Sequence, residues 1–238
     1  MSRPRVIVTR AEPGASETAA RLDAAGYTPI LSPALELAEV GPRSPLDLEG
    51  VAGLLFTSAN GVRFFCQREP RRDFKAWCVG PATATAAEAA GFVDIVNARG
   101  GSDELAAEVT ASADPAAGEL VHVANTAAAG DLAGRLKAAG FRVRYVGLYE
   151  ARRARALDPD AVEALSSEAA AAVLIHSAKG AKAFLELAAG LDLEPARFVA
   201  ISAAVAAPLA AISARTVVAE HPDEDALLTA LKRVAPSL

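Results

Sequence analysis

The chain has 238 residues, enough for one large domain or two small ones. Hydrophobic residues make up 52% and charged residues 22%, which suits a folded globular protein and excludes a disordered one. The formal net charge of −5, with no dense Lys/Arg stripe, argues against nucleic acid as the main partner.

The opening, MSRPRVIVTR, carries only a short apolar run before Arg10 and reads as a first strand, Val6-Ile7-Val8, not as a secretory signal. Ser16–Ala25 has helical spacing and stops at Gly26. After Ser32–Asp47, rich in Pro and charge, Leu54-Leu55-Phe56 reads as a second buried strand. Trp77-Cys78-Val79 follows, with a helical pattern over Thr83–Ala90 that ends at Gly91. Leu120–Val123 is the next strand, and Tyr149–Asp160 the next stretch rich in Pro and charge. Val173-Leu174-Ile175 and Phe198–Ile201 complete the set of buried strands. The longest uncharged run, Phe198–Ala214, is interrupted by Pro208 and falls short of the roughly 20 apolar residues that a spanning helix needs. Strands alternating with helices predict an α/β fold, with parallel sheets flanked by helices.

The chain also repeats itself. LLFTSANGVRFF (Leu54–Phe65) resembles VLIHSAKGAKAF (Val173–Phe184), and KAWCVGPATATAAEAAGF (Lys75–Phe92) resembles ARFVAISAAVAAPLAAIS (Ala196–Ser213). ARLDAAGYTPIL (Ala20–Leu31) likewise matches GRLKAAGFRVRY (Gly134–Tyr145). Acidic helix starts recur as SDELAAEV at Ser102 and DEDALLTAL at Asp223. The order predicts two similar α/β domains, with Ser32–Asp47 and Tyr149–Asp160 as a two-segment crossover joining them.

In open parallel sheets ligands sit at the carboxyl ends of strands, where unpaired N–H groups and the helix dipole attract anions. Thr57-Ser58-Ala59-Asn60-Gly61, Gly80-Pro81-Ala82-Thr83, His176-Ser177-Ala178-Lys179-Gly180 and Ser202-Ala203-Ala204 all fall there. Ser58 or Ser177 alone reads equally as an N-cap. Duplication copies caps as readily as sites, so spacing leaves the loops open. Phosphate-loop, dinucleotide-fingerprint and nucleophile-elbow patterns are missing. His122, His176 and His221 lack metal-ligand spacing, and Cys66 and Cys78 read as two reduced thiols of a cytoplasmic protein. An enzyme without such groups needs a substrate that is already reactive.

Together, VIVTRAEPGASETAARLDAAGY, LLFTSANGV, WCVGPATATAAEAAG and the Tyr149 of GLYEA resemble the uroporphyrinogen-III synthase family, nearly end to end and in order. The resemblance implies a discontinuous domain of residues 1–35 and 151–238, a second of residues 36–150, and an active-site cleft between them. It implies a lyase that closes hydroxymethylbilane to uroporphyrinogen III with loss of water and inversion of ring D, using no cofactor and no metal. Tyr149 then matches the tyrosine that aids hydroxyl departure. Arg10, Ser58, Gly80, Thr83, Ser177 and Ser202 match substrate-binding positions, together with the loop neighbours Ala59, Asn60, Gly61, Pro81, Ala178 and Lys179. A monomer is implied, touching no nucleic acid or membrane, with at most transient contact with neighbouring pathway enzymes.

Two departures stand out. The second-unit Gly-x-Thr-Thr-Ala of the family is Ser202-Ala203-Ala204-Val205-Ala206 here, so both threonine hydroxyls are missing. A Gly and an Arg of relatives appear as Asn125 and Ala129, which removes one cationic contact that Lys179 and Lys182 would have to replace. A tyrosine with its hydroxyl in water and an ordinary surface arginine remain the plain readings of Tyr149 and Arg10. The alternative function is a non-catalytic two-domain anion- or sugar-binding protein.

Overall fold

The computed structural model describes residues 3–42, 44–127, 130–167, 171–210, 212 and 215–234. They fall into two compact units, Met1–Leu37 with Ala151–Leu238, and Ala38–Glu150. The first segment carries β1 (Arg5–Val8), α1 (Gly14–Ala24), β2 (Thr28–Leu31) and β3 (Leu35–Glu39). The central one adds β4 (Val51–Phe56), α2 (Ala59–Arg68), β5 (Lys75–Cys78), α3 (Pro81–Ala89) and β6 (Ile95–Asn97). It continues with α4 (Ser102–Ser112), β7 (Glu119–Asn125), α5 (Leu132–Ala138) and β8 (Arg142–Arg153). The last holds α6 (Pro159–Ser166), β9 (Ala172–Ile175), α7 (Ala178–Leu187), β10 (Arg197–Ala200) and α8 (Ala203–Ala206), then β11 (Thr216–Val218) and α9 (Glu224–Val234).

The first unit has a five-stranded sheet in the order β2-β1-β9-β10-β11, with every pair parallel. Its inner strands β1, β9 and β10 are buried on both faces, as the centre of a parallel sheet covered by helices is, while the edge strands β2 and β11 are partly exposed. Ile7, Val173 and Phe198 face one core, while Val6, Val8, Leu174 and Val199 face the other.

The second unit has a six-stranded sheet, β3-β8-β7-β4-β5-β6, parallel from β8 to β6. Here β4 holds the place of β9, β5 that of β10, β7 that of β1 and β8 that of β2. The two sheets are one architecture entered by the chain at different strands, and this is the physical meaning of the sequence repeat.

The repeated Ala-Ala-Gly-aromatic stretches stop helices in one way. Gly26 adopts φ +89° after α1, and the N–H groups of Tyr27 and Gly26 reach back to the carbonyls of Leu22 and Asp23 at 3.0 and 3.1 Å. Gly140 does the same after α5 at φ +91°, with Phe141 bonded to Leu136 and Gly140 to Lys137, each at 3.0 Å. This left-handed cap suits glycine, and the aromatic residue after it packs back into the core. Leu22 and Leu136 are fully buried beneath these caps, each worth about 1.5–3 kcal/mol of apolar burial.

Both expected crossover segments contain strand: β3 lies within the first, and β8 runs through Tyr149 to Arg153. Burial of Val143, Leu148 and Tyr149 against the sheet outweighs the charged residues of RVRYVGLYEARR. Among the described residues no helix is long and apolar enough to cross a membrane.

Candidate active site

Each sheet has a place where consecutive connections leave in opposite directions. In the first unit it lies between β1, which leads to β2, and β9, which leads to β10; in the second it lies between β7 and β4. Crevices outside the carboxyl ends of such strand pairs are where open α/β sheets bind ligands. Arg10, Ser58 and Ser177 lie at the ends of strands of these pairs, whereas Gly80, Pro81 and Thr83 follow β5, Ser202 follows β10 and Tyr149 lies on β8.

In the second unit Ser58 follows β4 in extended backbone and caps α2, its Oγ accepting the Gly61 N–H at 3.2 Å. The same Oγ lies 2.8 Å from the Tyr149 hydroxyl on β8. Tyr149 is 5% exposed, and its ring stacks on Phe64 with centroids 4.7 Å apart and planes within 9°. Burial pushes the phenol above its ordinary value of 10, more than the Ser58 hydrogen bond lowers it. It therefore carries its proton at neutral pH. The plain reading of Tyr149 as a crossover residue with its hydroxyl in water does not hold.

Below this pair, His122 Nε2 lies 3.1 Å from Thr57 Oγ1, and burial pulls the imidazole down to about 4, so it is neutral near pH 7. The Tyr145 ring meets His122 edge-on, with its hydroxyl donating to the Asn125 carbonyl. Asn125 closes a turn by accepting the Ala127 N–H at 2.8 Å, while Ala129 lies outside the described residues. Gly80 is the extended N-cap of α3, Pro81 its first residue, and Thr83 sits buried in its first turn.

In the first unit Ser177 caps α7, accepting the Gly180 N–H at 2.9 Å, and is the counterpart of Ser58. Ala178 and Lys179 open that helix, and Lys179 Nζ donates to the Ala151 carbonyl at 2.7 Å. Ser202 caps the short α8 without a side-chain hydrogen bond. Arg10 is not a free surface cation. Its Nη1 donates to Glu224 Oε2 at 3.1 Å, and its guanidinium lies across Gly14, where a Cβ would come within 2.4 Å of it.

Glu224 also accepts from Thr18 Oγ1 at 2.6 Å and lies 3.1 Å from His176 Nε2. Burial raises its carboxyl, but the hydrogen bonds from His176 and Thr18 and the charges of His176 and Arg10 outweigh that and hold it at about 2. Glu224, Thr18 and His176 were not singled out as site residues by sequence reasoning, nor were Phe64 and Arg63. The one available signal was the acidic start of DEDALLTAL, which reads simply as helix-dipole chemistry.

Two sheets of mostly parallel strands, with serine-capped helices following β4 and β9 and a buried tyrosine hydrogen-bonded to the first of those serines, define a two-unit open-sheet α/β protein. A family model described as uroporphyrinogen-III synthase HemD matches residues 16–229, and the chain belongs to that family, whose members are lyases of tetrapyrrole biosynthesis. Among solved structures it is similar to uroporphyrinogen-III synthetase from Helicobacter pylori, with a TM-score of 0.67 at 18% identity over 98% of this chain and 99% of that one. A mutant uroporphyrinogen III synthase from Thermus thermophilus aligns at 18% identity over 99% of this chain and 100% of that one, with a TM-score of 0.49. At 18% identity the likeness to the Helicobacter pylori structure speaks to the fold alone. No curated protein matches the sequence.

Proposed function

We propose that this chain converts hydroxymethylbilane, a linear tetrapyrrole, to uroporphyrinogen III, and that Tyr149 is the proton donor. The observation that carries the reading is the 2.8 Å contact between the buried Tyr149 phenol and Ser58, a serine fixed by its own cap on α2. Ser58 Oγ accepts the Gly61 N–H and keeps its own proton to offer Tyr149, and in that arrangement the phenol proton is left for the substrate. The pyrrole nitrogen lone pair expels the hydroxyl, which takes that proton and leaves as water, giving an azafulvene. Ring D then attacks through its substituted carbon, forming a spiro intermediate; the original methylene–ring D bond breaks to give a second azafulvene, and the free α-carbon of the inverted ring D bonds to that methylene. The ring proton released on final closure returns to the phenolate, so only water is lost overall.

The substrate supplies most of the reactivity, so the protein's main work is orientation and water exclusion. Backbone N–H groups at the starts of α2, α3 and α7 suit the acetate and propionate carboxylates, each dipole contact contributing about 0.3–1 kcal/mol. Gly80 leaves the backbone open to close approach; among the described residues no atom but the Gly100 carbonyl oxygen, at 3.9 Å, is near a would-be Cβ. The free thiols of Cys66 and Cys78 support a reducing, cytoplasmic setting.

The test is to incubate the protein with enzymatically generated hydroxymethylbilane and separate the isomers after oxidation. Spontaneous closure yields isomer I. Isomer III formed in proportion to protein is the expected result, and isomer I alone, at the rate seen in buffer, would sink the proposal in favour of a non-catalytic binder.

A further inference from the structure

Donating its proton leaves Tyr149 as a phenolate where the ring is only 5% exposed, an unfavourable place for charge unless something compensates it. Arg63, on α2, is placed to do so. Its Cζ lies 5.1 Å from the centroid of the Phe64 ring, the same ring that stacks on Tyr149 at 4.7 Å. Among the described residues no carboxylate pairs with Arg63, and its Nε is buried without a hydrogen-bond partner. A partly buried cation with no carboxylate partner acts more strongly on a neighbouring charge than one fully in water.

We propose that Arg63 is a positioning residue for the reaction: it steadies the Tyr149 ring through Phe64, and its charge stabilises the phenolate that proton donation leaves. This rests on the reading of Tyr149 as the donor. The groups acting on the phenol are Ser58 and Arg63 from α2, which favour the ionised form, and Tyr145 from its own strand, which opposes it. Glu39 on neighbouring β3 is held by Arg68 Nε at 2.7 Å. Among the described residues Arg63 is therefore the cation whose removal should register at Tyr149.

The chain has three tyrosines, so fluorotyrosine incorporation and fluorine NMR can follow each phenol, assigned by Tyr27→Phe, Tyr145→Phe and Tyr149→Phe. Arg63→Gln should raise the Tyr149 pKa by about half a unit or more. It should also lower kcat about threefold to tenfold with KM little changed, as loss of a transition-state interaction does. Arg63→Met keeps the stem against Phe64 and should behave alike, whereas Arg63→Lys should restore most of both effects. Equal Tyr149 pKa values in the Gln, Met and Lys variants would overturn the proposal. The titration needs no turnover, so a Tyr149→Phe variant with wild-type kcat would defeat the donor reading separately.

Discussion

A Cβ on Gly61 would stand 2.8 Å from the carbonyl oxygen of Val123, so the first turn of α2 lies directly on the end of β7. The same residue donates its N–H to Ser58 Oγ, so this close approach sets the height of the serine against Tyr149. Gly61→Ala should destabilise the protein by about 1–3 kcal/mol, as overpacking against backbone does. Denaturant titration checks this. An unchanged midpoint would mean that α2 can lift off β7 at no cost.

Gly80 is the contrasting case. Its φ of −160° is extended backbone open to any residue, and among the described residues only the Gly100 carbonyl oxygen, at 3.9 Å, is near the added atom. Gly80→Val should fold with near wild-type stability and raise KM, because the side chain fills space at the start of α3 that a carboxylate would use. A variant that folds and keeps its KM removes this loop from the binding surface.

Tyr149→Phe retains the ring and its stacking on Phe64 and deletes only the hydroxyl. General acid catalysis contributes about 10²–10⁴-fold in most enzymes, and this easily ionised substrate should need the lower end or less. We expect kcat to fall about tenfold, equivalent to roughly 1.4 kcal/mol, with KM little changed. Slower turnover also leaves more free substrate to close spontaneously, so the isomer I fraction should rise. Wild-type kcat in a folded variant would show that substrate reactivity and backbone donors suffice.

Glu224 makes the first unit sensitive to acid. Its carboxyl is held at about 2, below the ordinary 4.5, so its stabilisation is complete above about pH 4.5 and lost as pH falls toward 2. The shift corresponds to about 3 kcal/mol. Glu224→Gln should lower stability at neutral pH and flatten its decline between pH 4.5 and 2, as read from urea midpoints across that range. A parallel, equally steep decline in the variant would assign acid sensitivity to other groups.

Much of the architecture was legible before any contact was known. The strand runs Val6-Ile7-Val8, Leu54-Leu55-Phe56 and Val173-Leu174-Ile175 fall within β1, β4 and β9, and the helices stopped by Gly26 and Gly91 end where Ala-Ala-Gly-aromatic predicts. The cap reading of Ser58 and Ser177 and the interest in Ser58 as a site residue are compatible, since Ser58 accepts from Gly61 and meets Tyr149 with the same oxygen. Tyr149 was visible only through family resemblance. Its burial was not, because GLYEA sits among arginines and glutamates that suggest an exposed segment.

What the sequence by itself determined is the local grammar and its duplication: apolar strands, small-residue loops, capped helices, and the order in which the two copies recur. These follow from interactions a few residues long, such as a serine hydroxyl with an amide three positions on or a glycine ending a helix. Only the tertiary structure decided which side chains meet. Ser58 and Tyr149 are 91 residues apart, and Arg10 and Glu224 are 214 apart. Their contacts depend on the order of strands within each sheet, which puts β4 within reach of β8 and brings the start of α9 to the end of β1. Hydrophobic pattern specifies that strands are buried, but nearly the same pattern serves every parallel neighbour, so the partners of the few polar side chains at the strand ends emerge only once the sheet order is set.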